Sequence, residues 1–175
     1  MQSRFKQVLR YAAIVIVVVL VLLWGVGELT RPASSAEPVG AVLNTPSDTL
    51  LSRACFDCHS NQTRWPWYAH LPVVGVMLNQ SVREGRDELN FSDWAAMNAG
   101  RQAKKLKESR EKVMEGDMPP WDYLLLHPEA RLGPAEQAQL SQDLAAALGG
   151  GALSSAGGQS GFAGQYGKGD DDDDD

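Results

Sequence analysis

The run Cys55-Phe56-Asp57-Cys58-His59 constrains this chain more than any other stretch of its 175 residues. Cys-x-x-Cys-His is the attachment signature of a c-type haem: two thiols form thioethers to the porphyrin, and the adjacent imidazole ligates the iron. Cys55 and Cys58 are three apart, so on a helical turn they share one side, and His59 is directed at the metal. Three other uses of the motif each lack a part. A redox dithiol expects a βαβ context, which is not visible, and gives no reason for His59. A structural zinc site needs four ligands, and only His70 and His127 remain to join the three. A disulfide would close a two-residue loop and constrain the unfolded chain little. One covalent haem c is therefore the expected cofactor, with Cys55 and Cys58 holding it and His59 as proximal ligand.

The flanks divide the chain into residues 1–29, 30–44, 45–148 and 149–175. No charged residue occurs from Tyr11 to Gly27, and this aliphatic stretch approaches the roughly 20 residues that span a bilayer. Arg4, Lys6 and Arg10 precede it, so the positive-inside rule keeps the N-terminus cytoplasmic and sends the rest across, with Trp24 near the far interface. The expected location is a bacterial inner membrane, crossed once, with the haem domain in the periplasm. A cleaved signal peptide is the rival, with Ser34-Ser35-Ala36 as cleavage site and a soluble periplasmic product. Against it stand a hydrophobic region longer than about 7–15 residues and a site well beyond its end. Either way the motif leaves the cytoplasm. Residues 30–44, with Pro32, Pro38 and Gly40, read as a tether.

The formal charge of −6 comes from the terminal run Asp170 to Asp175. Between Thr45 and Leu148 there are 11 Lys and Arg against 14 Asp and Glu, which leaves no basic footprint for nucleic acid. Gly149 to Gly169 is rich in Gly, Ser, Ala and Gln and is expected to be disordered; the six aspartates that follow either dock on a basic partner, bind divalent cations weakly or, by default, keep the chain soluble.

Within 45–148 the pattern is helical throughout. Thr45-Pro46-Ser47-Asp48 combines an N-cap, a proline at the first helical position and an acid three residues on, opening a helix that runs into the cysteines. Leu71-Pro72 opens a second helix with Val73, Val76, Met77 and Gln80 on one face and Arg83, Glu84 and Arg86 on the other. Asn90 to Trp94 reads as a loop. A third helix over Gln102–Glu115 turns Ala103, Leu106, Val113 and Met114 inward. Its Lys104, Lys105, Lys107, Arg110 and Lys112 face out, either as a solvated surface or to steer an acidic redox partner. A short helix from Trp121 is halted by Pro128. The last helix, Pro134 to Leu148, buries Leu140, Leu144, Ala147 and Leu148 and stops at Gly149.

Two groups near the motif bear on the iron. Trp65, Trp67 and Tyr68 either line a haem crevice or pack as ordinary core. Met118, in Gly116-Asp117-Met118-Pro119-Pro120, offers a thioether on a proline-stiffened segment and is the leading sixth ligand; His127 and His70 are rivals, and an open site is a further alternative. Met77, Met97 and Met114 fit helix faces and read as core. Met/His ligation fills both axial positions, the arrangement of an electron carrier serving redox partner proteins. A haem gas sensor, whose distal ligand leaves when gas arrives, is the second reading. A peroxidase, needing a polar distal group from His70, His127 or Arg64, is the third.

Taken together, Cys55-x-x-Cys58-His59-Ser60-Asn61, Trp65-Pro66-Trp67-Tyr68, Gly85-Arg86, Leu89-Asn90-Phe91-Ser92-x-Trp94, Gly116-Asp117-Met118-Pro119-Pro120 and Tyr123 to Leu132 resemble the bacterial haem-binding domain family of small monohaem c-type cytochromes. The resemblance covers roughly residues 45 to 148. It implies an all-α, cytochrome c-like domain exported to the periplasm, and leaves the redox partners open.

Overall fold

The computed structural model describes the backbone of residues 2–156 and the side chains of residues 4–149. Among these the fold is all-helical. The helices are α1 (Gln2–Leu29), α2 (Ser47–Ala54), α3 (Phe56–His59), α4 (Val74–Glu88), α5 (Ala99–Glu115), α6 (Trp121–Leu126) and α7 (Pro134–Ala156), with 3-10 turns at Trp67–His70, Phe91–Ala96 and Pro128–Ala130. α5 lies along α7, and α2 closes over α7 to bury one core. Leu51, Phe91, Leu106, Val113, Leu140 and Leu144 belong to it, and each such side chain removed from water contributes about 1.5–3 kcal/mol.

The start of α2 differs from the expected capping box. The helix begins at Ser47 with Pro46 in the cap position, and Thr45 Oγ1 accepts from Ser47 N at 3.3 Å. Asp48 serves the preceding segment instead: its carboxylate accepts the amides of Val42, Leu43 and Asn44 at 3.2, 2.9 and 2.9 Å. Val42 and Leu43 are thereby drawn into the core. Residues 30–44 are thus pinned along the domain rather than free. α2 also does not run unbroken into the cysteines, because Cys55 leaves helical geometry at φ −123° before α3 begins.

The face assigned to α4 requires correction. Gly75, Asn79 and Val82 are the buried positions, while Val73, Met77 and Gln80 point outward. Only glycine permits this register, since a Cβ at Gly75 would collide with the Ala69 carbonyl oxygen. Arg86, expected outside, turns inward and donates to Ser60 O, Ala33 O and Thr63 Oγ1 at 2.9, 2.9 and 3.0 Å. In α5, Leu106 and Val113 face the core as expected. Met114 is exposed like Met77, and of these three methionines only Met97 packs against the core. Lys105 is not on the outer face: its side chain is 14% exposed and is held by Glu108 and Glu88. Gly116 closes α5 at φ 78°, and the amides of Asp117 and Met118 both return to Lys112 O.

α7 buries Leu140 and Leu144 but does not stop at Gly149; it continues to Ala156. Glycine inside a helix costs only about 1 kcal/mol relative to alanine, and no proline follows to break the hydrogen-bond ladder. The expected disorder of the tail, from residue 157 through Asp170 to Asp175, lies outside the described residues.

Candidate cofactor site

The motif is fixed from two sides. Cys58 N and His59 N both donate to Cys55 O, at 3.2 and 2.9 Å, which winds the five residues into a single turn. From behind, α4 reaches van der Waals contact with that turn. A Cβ at Gly85 would sit 2.7 Å from the Cys58 carbonyl oxygen, so a glycine is needed for the approach. Beyond the turn, Asn61 N donates to Ser92 Oγ at 2.9 Å and Asn90 Nδ2 to Asn61 Oδ1 at 3.1 Å. The stretch around Asn90 is therefore a clamp for the motif, and this is why those separated residues belong together.

His59 takes its orientation from the end of α4. Its Nδ1 lies 3.1 Å from the Leu89 carbonyl oxygen, a contact that places the N–H on Nδ1 and leaves the Nε2 lone pair free for a metal. The Leu89 amide is itself held by Gly85 O at 2.9 Å. One helix end thus positions both the backbone of Cys58 and the ring of His59.

These groups face a cavity of about 630 Å³ between α4, α5 and the motif, inside the roughly 300–1,000 Å³ of cofactor clefts. Cys55, Cys58, His59 and Met118 all line it. Its walls are mostly apolar, from Leu51, Leu89, Phe91, Val113, Pro119 and Leu144. Met118 arrives from the turn after α5 and is 37% exposed, so it stands at the mouth. Burial, with Cys58 adding to it, pushes the Cys55 thiol up to about 12; burial, with Asp57 and Asp122 adding, pushes Cys58 up to about 11. A reactive dithiol has the opposite shift, which counts against the redox-pair reading. No group of three or more His, Cys, Asp and Glu side chains converges to hold a bare metal ion among the described residues.

Other residues singled out in the sequence stand elsewhere. Trp65 donates its indole N–H to Ser34 Oγ and lies under the Arg31 guanidinium. Trp67 is exposed, and Tyr68 has its hydroxyl 3.2 Å from His127 Nε2. None of the three lines the cavity, because Pro66 turns the chain toward the end of α1 instead. His127 stacks on Tyr123 at 4.1 Å, and His70 bonds Glu28 at 2.9 Å; both are off the cleft.

Tyr123 does line the cleft, although nothing in its spacing marked it. Its hydroxyl donates to Asp57 Oδ2 at 2.9 Å, and burial raises its pKa strongly, with Asp57 adding. Asp57 also takes a two-pronged contact from Arg64 at 3.1 and 3.0 Å. Asp57, one of the two residues between the cysteines, is thereby tied to α6. Lys105 and Lys112 reach the rim, which a solvent-facing helix pattern conceals.

Fold and site together define a small helical domain built around one apolar cofactor cleft, whose wall carries two thiols, an oriented imidazole and a thioether. The chain belongs to the haem-binding domain family, which matches it over residues 16–145. No curated protein and no solved structure matches it. The residues fit haem: the porphyrin provides four nitrogens to its iron, so only axial donors and an apolar slot are asked of the protein.

Proposed function

We propose that this protein is a membrane-anchored, periplasmic monohaem c-type cytochrome that carries single electrons between redox partners. One observation carries the reading: Cys55, Cys58, His59 and Met118 line a single apolar cleft, with the His59 Nε2 left free by the Nδ1 contact to Leu89 O. Haem supplies a one-electron couple whose potential is set by axial ligands and burial. Cys55 and Cys58 would hold the ring as thioethers, His59 would ligate through Nε2, and Met118 would give its sulfur to the other axial position. Leu51, Phe91 and Leu144 exclude water from the slot. Of the polar side chains, Glu84, Glu88, Glu108, Lys105 and Lys112 are present in the cleft wall, while His70, His127 and Arg64 are not part of it.

α1 supports the anchor. It is long and apolar enough to cross a membrane, and its large apolar side chains from Phe5 to Trp24, Leu23 excepted, stay exposed, a surface soluble domains avoid. Its last turn is built into the domain. Asn79 Nδ2 donates to Gly27 O at 2.6 Å, Arg31 to Ala69 O at 3.1 Å, and Arg83 to Thr30 O. Signal-peptide cleavage at 34–36 would discard all of these partners.

The test is spectroscopy on haem-loaded full-length protein beside Met118→Ala and His127→Ala. The parent and His127→Ala are expected to be low-spin in both oxidation states and to bind carbon monoxide poorly; Met118→Ala is expected to be high-spin when reduced and to bind it at once. An unchanged Met118→Ala refutes the axial assignment. Pigment stripped by acid-acetone refutes the covalent attachment.

A further inference from the structure

The haem site leaves unexplained an apolar surface at the opposite end of α4. Leu71 to Val82 contains no charged residue, and its outward side chains are apolar at the start: Leu71, Val73, Val74 and Met77 are exposed, Met77 by 64%. Val73 holds a left-handed φ of 68°, a conformation a β-branched residue rarely takes. Trp67, 76% exposed, sits in the 3-10 turn just before them.

The register between α4 and α1 says where this surface lies. A Cβ on Gly27 would meet Val76 N at 3.7 Å, whereas Arg83, two turns further along α4, donates to Thr30 O. α4 therefore ascends in the same sense as α1, and its N-terminal turn is its lowest part, level with Gly27. The uncharged stretch Tyr11–Gly27 is roughly 25 Å of helix at 1.5 Å per residue, comparable to the roughly 30 Å hydrocarbon layer. Glu28, the first charge after it, marks the outer boundary. Apolar side chains at that depth, with a tryptophan beside them, have the composition of a membrane interface.

We propose that Trp67, Leu71, Val73, Val74 and Met77 insert into the outer-leaflet interface of the bilayer that α1 crosses, giving the domain a second membrane contact. This rests on the retained anchor proposed above. Two contacts restrain the tilt of the domain that one helix alone would leave loose. The cleft wall at Gly85 then stands about 16 Å along α4 from Val74, so a redox partner meets it close to the membrane surface. The family match, which begins at residue 16 within α1, supports treating helix and domain as one unit.

The experiment uses haem-loaded full-length protein in phosphatidylcholine–phosphatidylglycerol vesicles containing a lipid with a diazirine near the headgroup. After irradiation, trypsin releases residues 11–53, 65–83 and 113–131, because the Arg31–Pro32 bond resists cleavage; lipid adducts are counted by mass spectrometry, and those on the first peptide are assigned to 11–31 or 32–53 by fragment-ion sequencing. The third peptide is an internal comparison, since its Trp121 and Leu125 are 76% and 68% exposed but distant from α1 in sequence and packing. Adducts are expected on 11–31 and on 65–83, at least fivefold above 113–131. Val74→Ser/Met77→Ser should cut those on 65–83 several-fold and leave 11–31 unchanged. Adducts on 11–31 alone, or equal labelling of 65–83 and 113–131, overturn the proposal while the anchor stands. Adducts on neither 11–31 nor 65–83 overturn both. If 65–83 is unlabelled and the protein is a dimer that the double variant dissociates, the occupant is a second copy and the proposal fails.

Discussion

Replacing Gly85 by alanine tests the geometry on which the site depends. The new Cβ would lie 2.7 Å from Cys58 O and 3.1 Å from both Cys58 C and Cys58 Cβ. Reaching an ordinary 3.4 Å contact requires about 0.7 Å of movement between α4 and the motif, and the nearest atoms are backbone, which cannot rotate away. Overpacking of this kind costs about 1–3 kcal/mol, set against about 0.5–1 kcal/mol gained when alanine replaces glycine in a helix. Gly100→Ala is the matched control. It lies in α5, and its Cβ would have Asn98 Oδ1 at 3.5 Å as nearest neighbour, so it collects the gain without the clash. The two variants should therefore differ by about 1–3 kcal/mol in urea unfolding of the haem-loaded protein, with Gly85→Ala the weaker. Because Gly85 O also holds the Leu89 amide, and Leu89 O the His59 ring, Gly85→Ala should shift the haem absorption spectrum and Gly100→Ala should not. Equal stabilities with identical spectra would refute the claim that α4 abuts the cysteine turn.

Further outcomes follow from the network around α2. Asp143 accepts from Ser47 Oγ at 2.6 Å and Thr45 Oγ1 at 2.9 Å, and the Ser47 bond chiefly holds its carboxyl below the ordinary 3.8. Its stabilisation is complete above pH 3.8 and lost as pH falls through the lower folded value. Asp143→Ala should thus cost about 1–3 kcal/mol at neutral pH by stranding the buried Ser47 hydroxyl, and the gap between the denaturation midpoints of variant and parent should narrow in acid without closing, since a protonated carboxyl still accepts from Ser47. Asp48→Ala frees the amides of Val42, Leu43 and Asn44, so hydrogen exchange at these three should accelerate well before the core opens. Asn90→Ala removes both the bond to Asn61 and the cap on Ser92 N; a loss of about 1 kcal/mol in thermal or urea unfolding is expected.

Much of the site could be read from the chain because its chemistry is local. Cys55, Cys58 and His59 are adjacent, and the turn that groups them is closed by bonds to Cys55 O alone. Helices with a plain apolar stripe were legible for the same reason: Leu140 and Leu144 in α7, and Leu106 and Val113 in α5. α4 was misread because its inner face consists of Gly75, Asn79 and Val82, and two of those three have no apolar signature. Asn79 is inside because it serves the carbonyl of Gly27, more than fifty positions away in sequence, which no periodicity encodes. The aromatic residues after the motif stay near it but do not line the cleft: Trp65 bonds Ser34, Trp67 is exposed, and Tyr68 meets His127.

The sequence by itself determined that the chain is helical, that its two thiols and an imidazole share one turn, and that a long apolar stretch precedes them. Each of these depends on residues a turn or less apart, whose mutual geometry the backbone fixes. Only the tertiary structure decided which distant groups complete the cleft, that Tyr123 and Leu89 belong to the site while Trp65 and His127 do not, and that the end of α1 is fastened to α4. Those choices follow from packing and from carbonyls that need donors once buried, and such needs arise only when the helices meet.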